Sequence, residues 1–96
     1  MADYVEGLHL IPEHMHASIT LWIERGGPRP ELMGSFLRAI LCGKLFEALA
    51  HADDINANSI KEWALFLHNY APSSCYGSAE KLQEWFDRGG LRGSGM

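Results

Sequence analysis

An all-α fold, built as a compact orthogonal bundle of four to five short helices, is what this sequence predicts, and three observations support it. Apolar residues recur at helical spacing in several separate stretches. Glycine, proline, asparagine and aspartate fall between those stretches, where they end one helix and begin the next. No run of β-branched residues has the alternation of a strand. We therefore expect one helical domain over residues 1–91, followed by a flexible tail over residues 92–96.

The central stretch, Leu32 to Asp53, is the most apolar and most helical part of the chain. It carries two apolar stripes, which we expect to form the centre of the core. Gly43 separates the stripes and indicates a kink or break, because glycine is unfavourable inside a helix. The predicted helices run from Pro30 or Glu31 to about Cys42 and from Lys44 to Ala52. The stripes consist of Leu32, Phe36, Leu37, Ile40 and Leu41, and of Leu45, Phe46, Leu49 and Ala50.

The remaining elements follow from capping and breaking residues. Residues 1–11 alternate weakly and predict an extended arm. Pro12 suits the first position of a helix that Gly26 ends. Asn56 or Asn58 is the expected N-cap of a helix that stops before Pro72, and Ser78 that of a last helix over 79–88, ended by Gly89 and Gly90. The apolar faces of these three helices are Met15, Ile19, Trp22 and Ile23; Ile60, Trp63, Ala64, Phe66, Leu67 and Tyr70; and Leu82, Trp85 and Phe86.

Composition excludes several classes of function. The formal net charge of −4 argues against broad binding to duplex nucleic acid, which depends on neutralising phosphates. Cys42 and Cys75 belong to no CxxC pair, which favours reduced thiols over a zinc or redox motif. No stretch has the pattern of a signal peptide or of a membrane-spanning helix. We expect a protein of the cytoplasm that does not enter a membrane.

Metal and catalytic motifs are absent or incomplete. His14 and His16 are two residues apart, whereas two ligands on one helix face require a spacing of four. Asp54, Asn56 and Asn58 begin like a calcium loop, but the required glycine and the final glutamate are missing. No spacing selects a cysteine–histidine pair for nucleophilic catalysis. The sequence therefore predicts no metal, no cofactor and no catalytic residue, so we expect the protein not to be an enzyme.

One set of residues has the chemistry of a ligand site. Arginine binds phosphate or carboxylate through two parallel hydrogen bonds, aromatic rings stack on bases, and a helix N-terminus offers backbone N–H donors to an anion. The alternative is that Trp22 and Tyr70 belong to the core and that the arginines are solvated. If a pocket exists, we expect it at the N-terminal edge of the central stretch, near Arg38. The candidate ligand-binding residues are Arg25, Arg29, Arg38, Trp22, Tyr70, Tyr76 and Ser78.

The chain also resembles a widespread family of short proteins encoded by phages and prophages. The resemblance covers about residues 7–91. This chain departs from the pattern at PRPELMGSF, which is longer than the usual Pro-Gly turn, and at Tyr76, where tryptophan is common. The matching segments are LHLIPEHMH at 8–16, IERGG at 23–27, FLRAIL at 36–41, LFEALAHADDIN at 45–56, HNYAP at 68–72, YGSAEKLQEW at 76–85 and GGL at 89–91.

A phage setting implies an accessory protein that acts in the host cytoplasm by stoichiometric binding, including inhibition of antiviral defence. The first hypothesis is a homo-oligomer that sequesters a host signalling nucleotide, since the arginines and aromatic residues suit that ligand. The second is an inhibitor that docks on a host defence protein. A regulatory or structural factor of the phage is a third. We expect a homo-oligomer, because the chain has ten aromatic residues, which leaves aromatic surface for an interface.

Overall fold

The computed structural model describes residues 4–93, which form eight α-helices and no strand. The predicted all-α class is confirmed. Five helices have seven to ten residues, whereas α1, α5 and α8 are single turns of four residues. The helices are α1 (Tyr4–Gly7), α2 (His16–Arg25), α3 (Ser35–Cys42), α4 (Leu45–His51), α5 (Asp54–Ala57), α6 (Ile60–Asn69), α7 (Ala79–Arg88) and α8 (Gly90–Gly93).

The core is built around three tryptophan side chains, one each from α2, α6 and α7. Trp22, Trp63 and Trp85 are all at most 1% exposed. The ring of Phe36 on α3 meets the Trp63 ring edge-on, with the ring centroids 5.6 Å apart. Helix α3 also packs against α4 and α7, and α2 packs against α8. The core therefore joins helices that are distant in sequence.

Two predicted stop signals are confirmed in detail. Gly26 and Gly43 both adopt the left-handed conformation directly after a helix, with φ of +69° and +79°. Gly26 also lies against Gly90, since a Cβ atom on Gly26 would be only 2.8 Å from the Gly90 backbone nitrogen. The absence of side chains at both positions lets the end of α2 meet the start of α8.

The N-terminal segment differs from the predicted extended arm. Tyr4–Gly7 is a helical turn, and Leu8–Leu10 continues it as a 3-10 turn. Gly7 explains the difference, because its missing side chain leaves room for the ring of Tyr70, whose Cγ would be 2.4 Å from a Cβ there. Tertiary contact with α6 thus folds a segment whose sequence predicts extension. Residues 1–3 of the predicted arm lie outside the described part of the chain.

The starts of two helices also differ from the prediction. Pro12 precedes a 3-10 turn over Glu13–Met15, and the α-helical hydrogen bonds begin only with α2. Pro30 opens a separate 3-10 turn, Pro30–Leu32, and extended backbone at Met33 and Gly34 divides that turn from α3. Leu32 is consequently 73% exposed and does not belong to the buried stripe of α3.

The N-cap of α6 is a third correction, since it is Ser59, not Asn56 or Asn58, and its side chain makes no capping hydrogen bond. The side-chain cap in this loop belongs to α5, where the Asp53 carboxylate accepts the backbone N–H of Asn56 at 2.7 Å. Asn56 is instead buried, and its Oδ1 accepts the Trp63 indole N–H at 3.1 Å. Several residues in this loop have side chains that can cap a helix. Asn56 does not, because its side chain accepts the buried Trp63 indole N–H instead.

The second apolar stripe of the central stretch is not buried, contrary to the prediction. Of the α4 side chains, only that of Ala48 is fully buried. Leu45, Phe46 and Leu49 are 49%, 87% and 42% exposed. No other element of residues 4–93 covers this side of the helix, so its apolar residues face outward.

The C-terminal end is ordered further than the sequence predicts. Arg92 and Gly93, which we assigned to a flexible tail, belong to α8, and Arg92 Nε lies 3.2 Å from Glu24 Oε1. Residues 94–96 of that tail lie outside the described part. None of the helices in residues 4–93 is long and apolar enough to cross a membrane.

Candidate functional site

A groove of about 430 Å³ lies at the N-terminal edge of the central stretch, between α3, α4 and α7. We call it the α3–α7 groove. Its position agrees with the expectation from the sequence, since Arg38 lines it together with residues of the loop before α3. The side chains and backbone that line it belong to Pro30, Glu31, Ser35, Arg38, Ala39, Cys42, Lys44, Glu47, His51, Ala79, Leu82 and Gln83.

The turn between α3 and α4 positions the cations of the groove. The N–H of Gly43 donates to the Ile40 carbonyl at 3.2 Å, and the N–H of Lys44 donates to the Ala39 carbonyl at 2.9 Å. These two bonds form the pattern in which a left-handed glycine ends a helix. They reverse the chain within two residues, so Lys44 and Arg38 border the same groove.

A backbone hydrogen bond fixes the opposite wall. The Gly77 N–H donates to the Leu41 carbonyl at 2.7 Å, which ties the loop before α7 to the end of α3. The Ser78 hydroxyl then caps α7 by accepting the Lys81 N–H at 3.2 Å. Ala79, the first residue of α7, lines the groove. The positive end of the α7 dipole therefore borders it, which favours an anion.

The charges of the groove are unevenly paired. Lys44 lies 3.9 Å from Glu47, and Glu31 lies 4.0 Å from Arg29 outside the groove. Arg38 has no carboxylate within ion-pairing distance among residues 4–93, although it is exposed. Its guanidinium is the cation of the groove that is available to bind an added anion through two parallel hydrogen bonds.

The two thiols of the chain have little nucleophilic character. Burial raises the pKa of the Cys42 thiol above its usual 9.0, while the nearby charges of Lys44 and Arg38 act in the opposite direction. Burial raises the pKa of Cys75 to about 12. A thiol rather than a thiolate is present in both cases at neutral pH, and only the thiolate is a strong nucleophile.

The structure separates the other predicted ligand residues from Arg38. Trp22 is fully buried and its indole N–H donates to the Cys75 carbonyl at 2.8 Å, so its assignment as a ligand contact is corrected to a core role. Arg25 lies beside Glu24 and Arg92 at a different depression, between α2 and α8. The Arg29 guanidinium lies over the Phe86 ring, 5.7 Å from its centroid.

The two tyrosines do not line the groove. Tyr70 is half-buried, with its ring against the backbone of Gly7. Tyr76 is half-buried and packs against the core. Ser78 borders α7 through its capping role, and its hydroxyl is already engaged with Lys81. The predicted set of seven residues therefore does not converge on one cavity.

Arg38 is the one groove residue among the predicted ligand residues, and polar neighbours such as Lys44, His51 and Gln83 were not predicted. Lys44 could have been found, because a cation directly after a left-handed glycine lies close to the end of the preceding helix. His51 lies seven residues after Lys44, about two helical turns along α4, and so returns to the same side of the helix. Gln83 carries no comparable signal, because only the packing of α7 on α3 brings it there.

A second polar cluster lies just beyond the C-terminal end of α4, next to the groove. His14 Nε2 and Asp53 Oδ2 are 3.0 Å apart. The pKa of Asp53 is lowered, first by the hydrogen bond from the Asn56 N–H and then by His14. Both side chains are exposed. No group of three metal-binding side chains occurs within residues 4–93.

Comparison of the chain with protein-family models, with curated protein sequences and with solved structures finds no match in any of the three.

Proposed function

We propose that this protein is a phage accessory protein that counters host antiviral defence by stoichiometric binding, and that it sequesters a nucleotide signal in the α3–α7 groove. One observation carries the proposal: an arginine without a carboxylate partner in residues 4–93, Arg38, lines a groove of about 430 Å³. The phage setting and the defence role are what the family resemblance implies.

The composition of the groove suits a ligand with an anionic end and a flat apolar end. Arg38 supplies the unpaired positive charge, whereas Lys44 is paired with Glu47, and Ser35 supplies a hydroxyl. Cys42 and Ala79 form an apolar wall with exposed atoms, on which a base or ribose can lie, whereas Ala39 and Leu82 are at most 5% exposed. The volume falls within the roughly 300–1,000 Å³ of small-molecule pockets. A nucleotide can place its phosphate at Arg38 and its base or ribose on the apolar wall, whereas inorganic phosphate leaves that wall exposed to water.

Binding without turnover is the mode of action that we propose. The raised pKa of Cys42 disfavours nucleophilic attack from within the groove. Sequestration then depends on affinity and on the amount of protein, since each groove removes one ligand from solution. A nucleotide incubated with the protein and released by denaturation is expected to be chemically unchanged on chromatography.

Calorimetric titration tests the proposal. We expect at least one member of a panel of cyclic nucleotides and ADP-ribose derivatives to bind with a stoichiometry of one per chain. Arg38→Ala removes a charge-assisted hydrogen bond, of about 1.5–3 kcal/mol, and should weaken that binding roughly 10- to 100-fold. Arg25→Ala is the matched control, because Arg25 is also exposed but lies at the other depression.

Two results would contradict the proposal. Heat from no member of the panel would exclude a nucleotide ligand of these classes. Equal loss of affinity in Arg25→Ala and Arg38→Ala would place the ligand outside the groove.

Expression of the protein in a host with a nucleotide-signalling defence should restore phage growth, and the Arg38→Ala variant should fail to do so.

A second candidate function is the inhibition of a host defence protein by direct docking. The specific observation in its favour is the exposed apolar side of α4, where Phe46 is 87% exposed. Exposed aromatic residues of this kind are enriched at protein interfaces. Under this alternative Phe46→Ser, and not Arg38→Ala, abolishes the protection of the phage.

A further inference from the structure

The α3–α7 groove is lined by two carboxylates as well as by two cations. Glu31 lies in the 3-10 turn before α3, and Glu47 lies on α4. They border the same space as Arg38 and Lys44. With histidine counted as neutral, the formal charges of these four side chains cancel. Lys44 is paired with Glu47, so among residues 4–93 the unpaired positive charge of the groove is confined to Arg38.

Both carboxylates of the groove keep oxygen atoms that are open to a ligand. The Glu47 carboxylate is 3.9 Å from Lys44 Nζ, and the Glu31 carboxylate is 4.0 Å from the Arg29 guanidinium. Both distances exceed the roughly 2.7–3.2 Å of a hydrogen bond. Each glutamate side chain is also 63% exposed. These oxygens can accept a hydrogen bond from a ribose hydroxyl or from the amino group of a base, but they repel the oxygens of a phosphate.

We infer that the α3–α7 groove selects nucleotides without a terminal phosphate group and that Glu31 and Glu47 determine this selectivity. The selectivity rests on the proposed function, since it names the ligand class of the same groove. A phosphate that is esterified at both ends carries one negative charge, which Arg38 can pair. A terminal phosphate carries about 1.5–2 negative charges near neutral pH. In a triphosphate this charge adds to that of the other two phosphates, and Glu31 and Glu47 would repel it.

Discrimination by repulsion suits a protein that sequesters a nucleotide signal. Nucleoside triphosphates contain the same base and ribose as a signalling nucleotide, so the apolar wall of the groove cannot distinguish the two. A binding site rejects such a competitor most simply by placing a like charge where the competitor differs from the preferred ligand. The terminal phosphates are that difference. Glu31 and Glu47 therefore keep the groove available for cyclic nucleotides and ADP-ribose derivatives.

Calorimetric titration of the full chain measures the selectivity. The probes are cyclic dinucleotides of adenine and of guanine, ADP-ribose, and the nucleoside triphosphates of both bases, all without divalent cations that would neutralise phosphate charge. The most tightly bound of the first three probes is compared with the triphosphate of the same base. We expect the dissociation constant of the triphosphate to be larger by roughly tenfold or more.

Neutral replacements of the two carboxylates test their role. Glu31→Gln and Glu47→Gln keep the size of each side chain and remove its charge. Each should lower the ratio of the two dissociation constants by roughly threefold, mainly by tightening the binding of the triphosphate. Glu6→Gln is the matched control, because it removes the same charge from an exposed residue of α1, which does not line the groove. That variant should leave the ratio unchanged.

Raised ionic strength gives a second measurement of the same repulsion. The discrimination should shrink as salt is added, because exposed charges are screened. A ratio that neither salt nor the two glutamine variants change would show exclusion by shape and would overturn the inference.

The outcomes for the inference and for the proposed function are distinguishable. A triphosphate that binds as tightly as the other probes, with both weakened in Arg38→Ala, would overturn the selectivity and leave the proposed function intact. Absence of binding by every probe would overturn the proposed function itself.

Discussion

At the scale of single residues, the buried indole N–H groups decide how the core is arranged. Trp22 donates to the Cys75 carbonyl, and Trp85 donates to the Trp22 carbonyl at 2.7 Å. Trp63 donates to the side chain of Asn56. A buried polar group without a partner is costly, so each tryptophan requires its acceptor. Among residues 4–93, no buried side-chain nitrogen or oxygen lacks a partner.

Replacement of Asn56 tests this dependence. Asn56→Ala leaves the Trp63 indole N–H buried and unpaired, which should lower the free energy of unfolding by about 1–3 kcal/mol. For a domain of this size the melting temperature should fall by roughly 4–8 °C for each kcal/mol. Asn58→Ala is the control, since Asn58 is exposed two residues away. Equal stability of the two variants would show that the Asn56–Trp63 bond does not stabilise the fold.

The sequence predicted the residue types of the core but not these pairings. Trp22 was read both as a core residue and as a ligand contact, and only its burial distinguishes the two roles. Asn56 was expected to cap a helix, because the sequence shows a polar residue before a helix and not the distant indole N–H that it accepts. A side-chain hydrogen bond was therefore predictable where its two partners are near in sequence, as for the Ser78 hydroxyl that caps α7 by accepting the Lys81 N–H.

At the scale of the elements, the turn at Gly43 sets the relation of α3 to α4. A non-glycine residue in the left-handed conformation costs about 1–2 kcal/mol, and Gly43 has φ of +79°. A Cβ atom there would be 3.6 Å from the Gly77 carbonyl oxygen, an ordinary contact, so any cost is conformational. The turn also places Lys44 at the border of the α3–α7 groove, so a change in the turn would move a groove residue.

Gly43→Ala should therefore lower the free energy of unfolding by about 1–2 kcal/mol in urea denaturation. Gly34→Ala is a matched control, because Gly34 has φ of −57° and open space around its Cα. That change should cost less than Gly43→Ala, because alanine restricts the unfolded chain and so offsets the lower N-cap preference of alanine at the start of α3. A Gly43→Ala variant as stable as Gly34→Ala would contradict the assigned role of the turn.

Element boundaries set by glycine were predictable, whereas the partner of each apolar face was not. The breaks at Gly26 and Gly43 follow from a conformation that glycine adopts readily. The sequence shows correctly that α4 carries an apolar stripe. It does not show whether another element packs against that stripe. In this chain the side of α4 that carries Phe46 is left uncovered.

At the scale of the whole molecule, α4 separates two surfaces. Lys44 at its N-cap, and Glu47 and His51 within it, border the α3–α7 groove. Leu45 and Phe46 are exposed apolar residues of the same helix and do not line the groove.

The location of the candidate site was partly predictable from the sequence. Arg38 and the loop before α3 indicated the correct edge of the central stretch. Arg25 and Arg29 were grouped with Arg38 because they are near it in sequence. In the structure Arg25 lines the depression between α2 and α8, and Arg29 lies over the Phe86 ring. Arg25 ends α2 and Arg29 lies in the loop after it, so the packing of those segments, and not their distance from Arg38 in sequence, decides where the two side chains lie.

Chemical-shift mapping tests the central claim, a nucleotide site at Arg38, most directly. Proton–nitrogen correlation spectra of the full chain would be recorded with increasing amounts of a cyclic dinucleotide and, separately, of ADP-ribose. We expect saturable shifts for the backbone amides of Ser35, Lys44 and Gln83, and none for those of α2 near Arg25. Shifts confined to α2 and α8, or no saturable shift with any nucleotide of the panel, would contradict the proposed function.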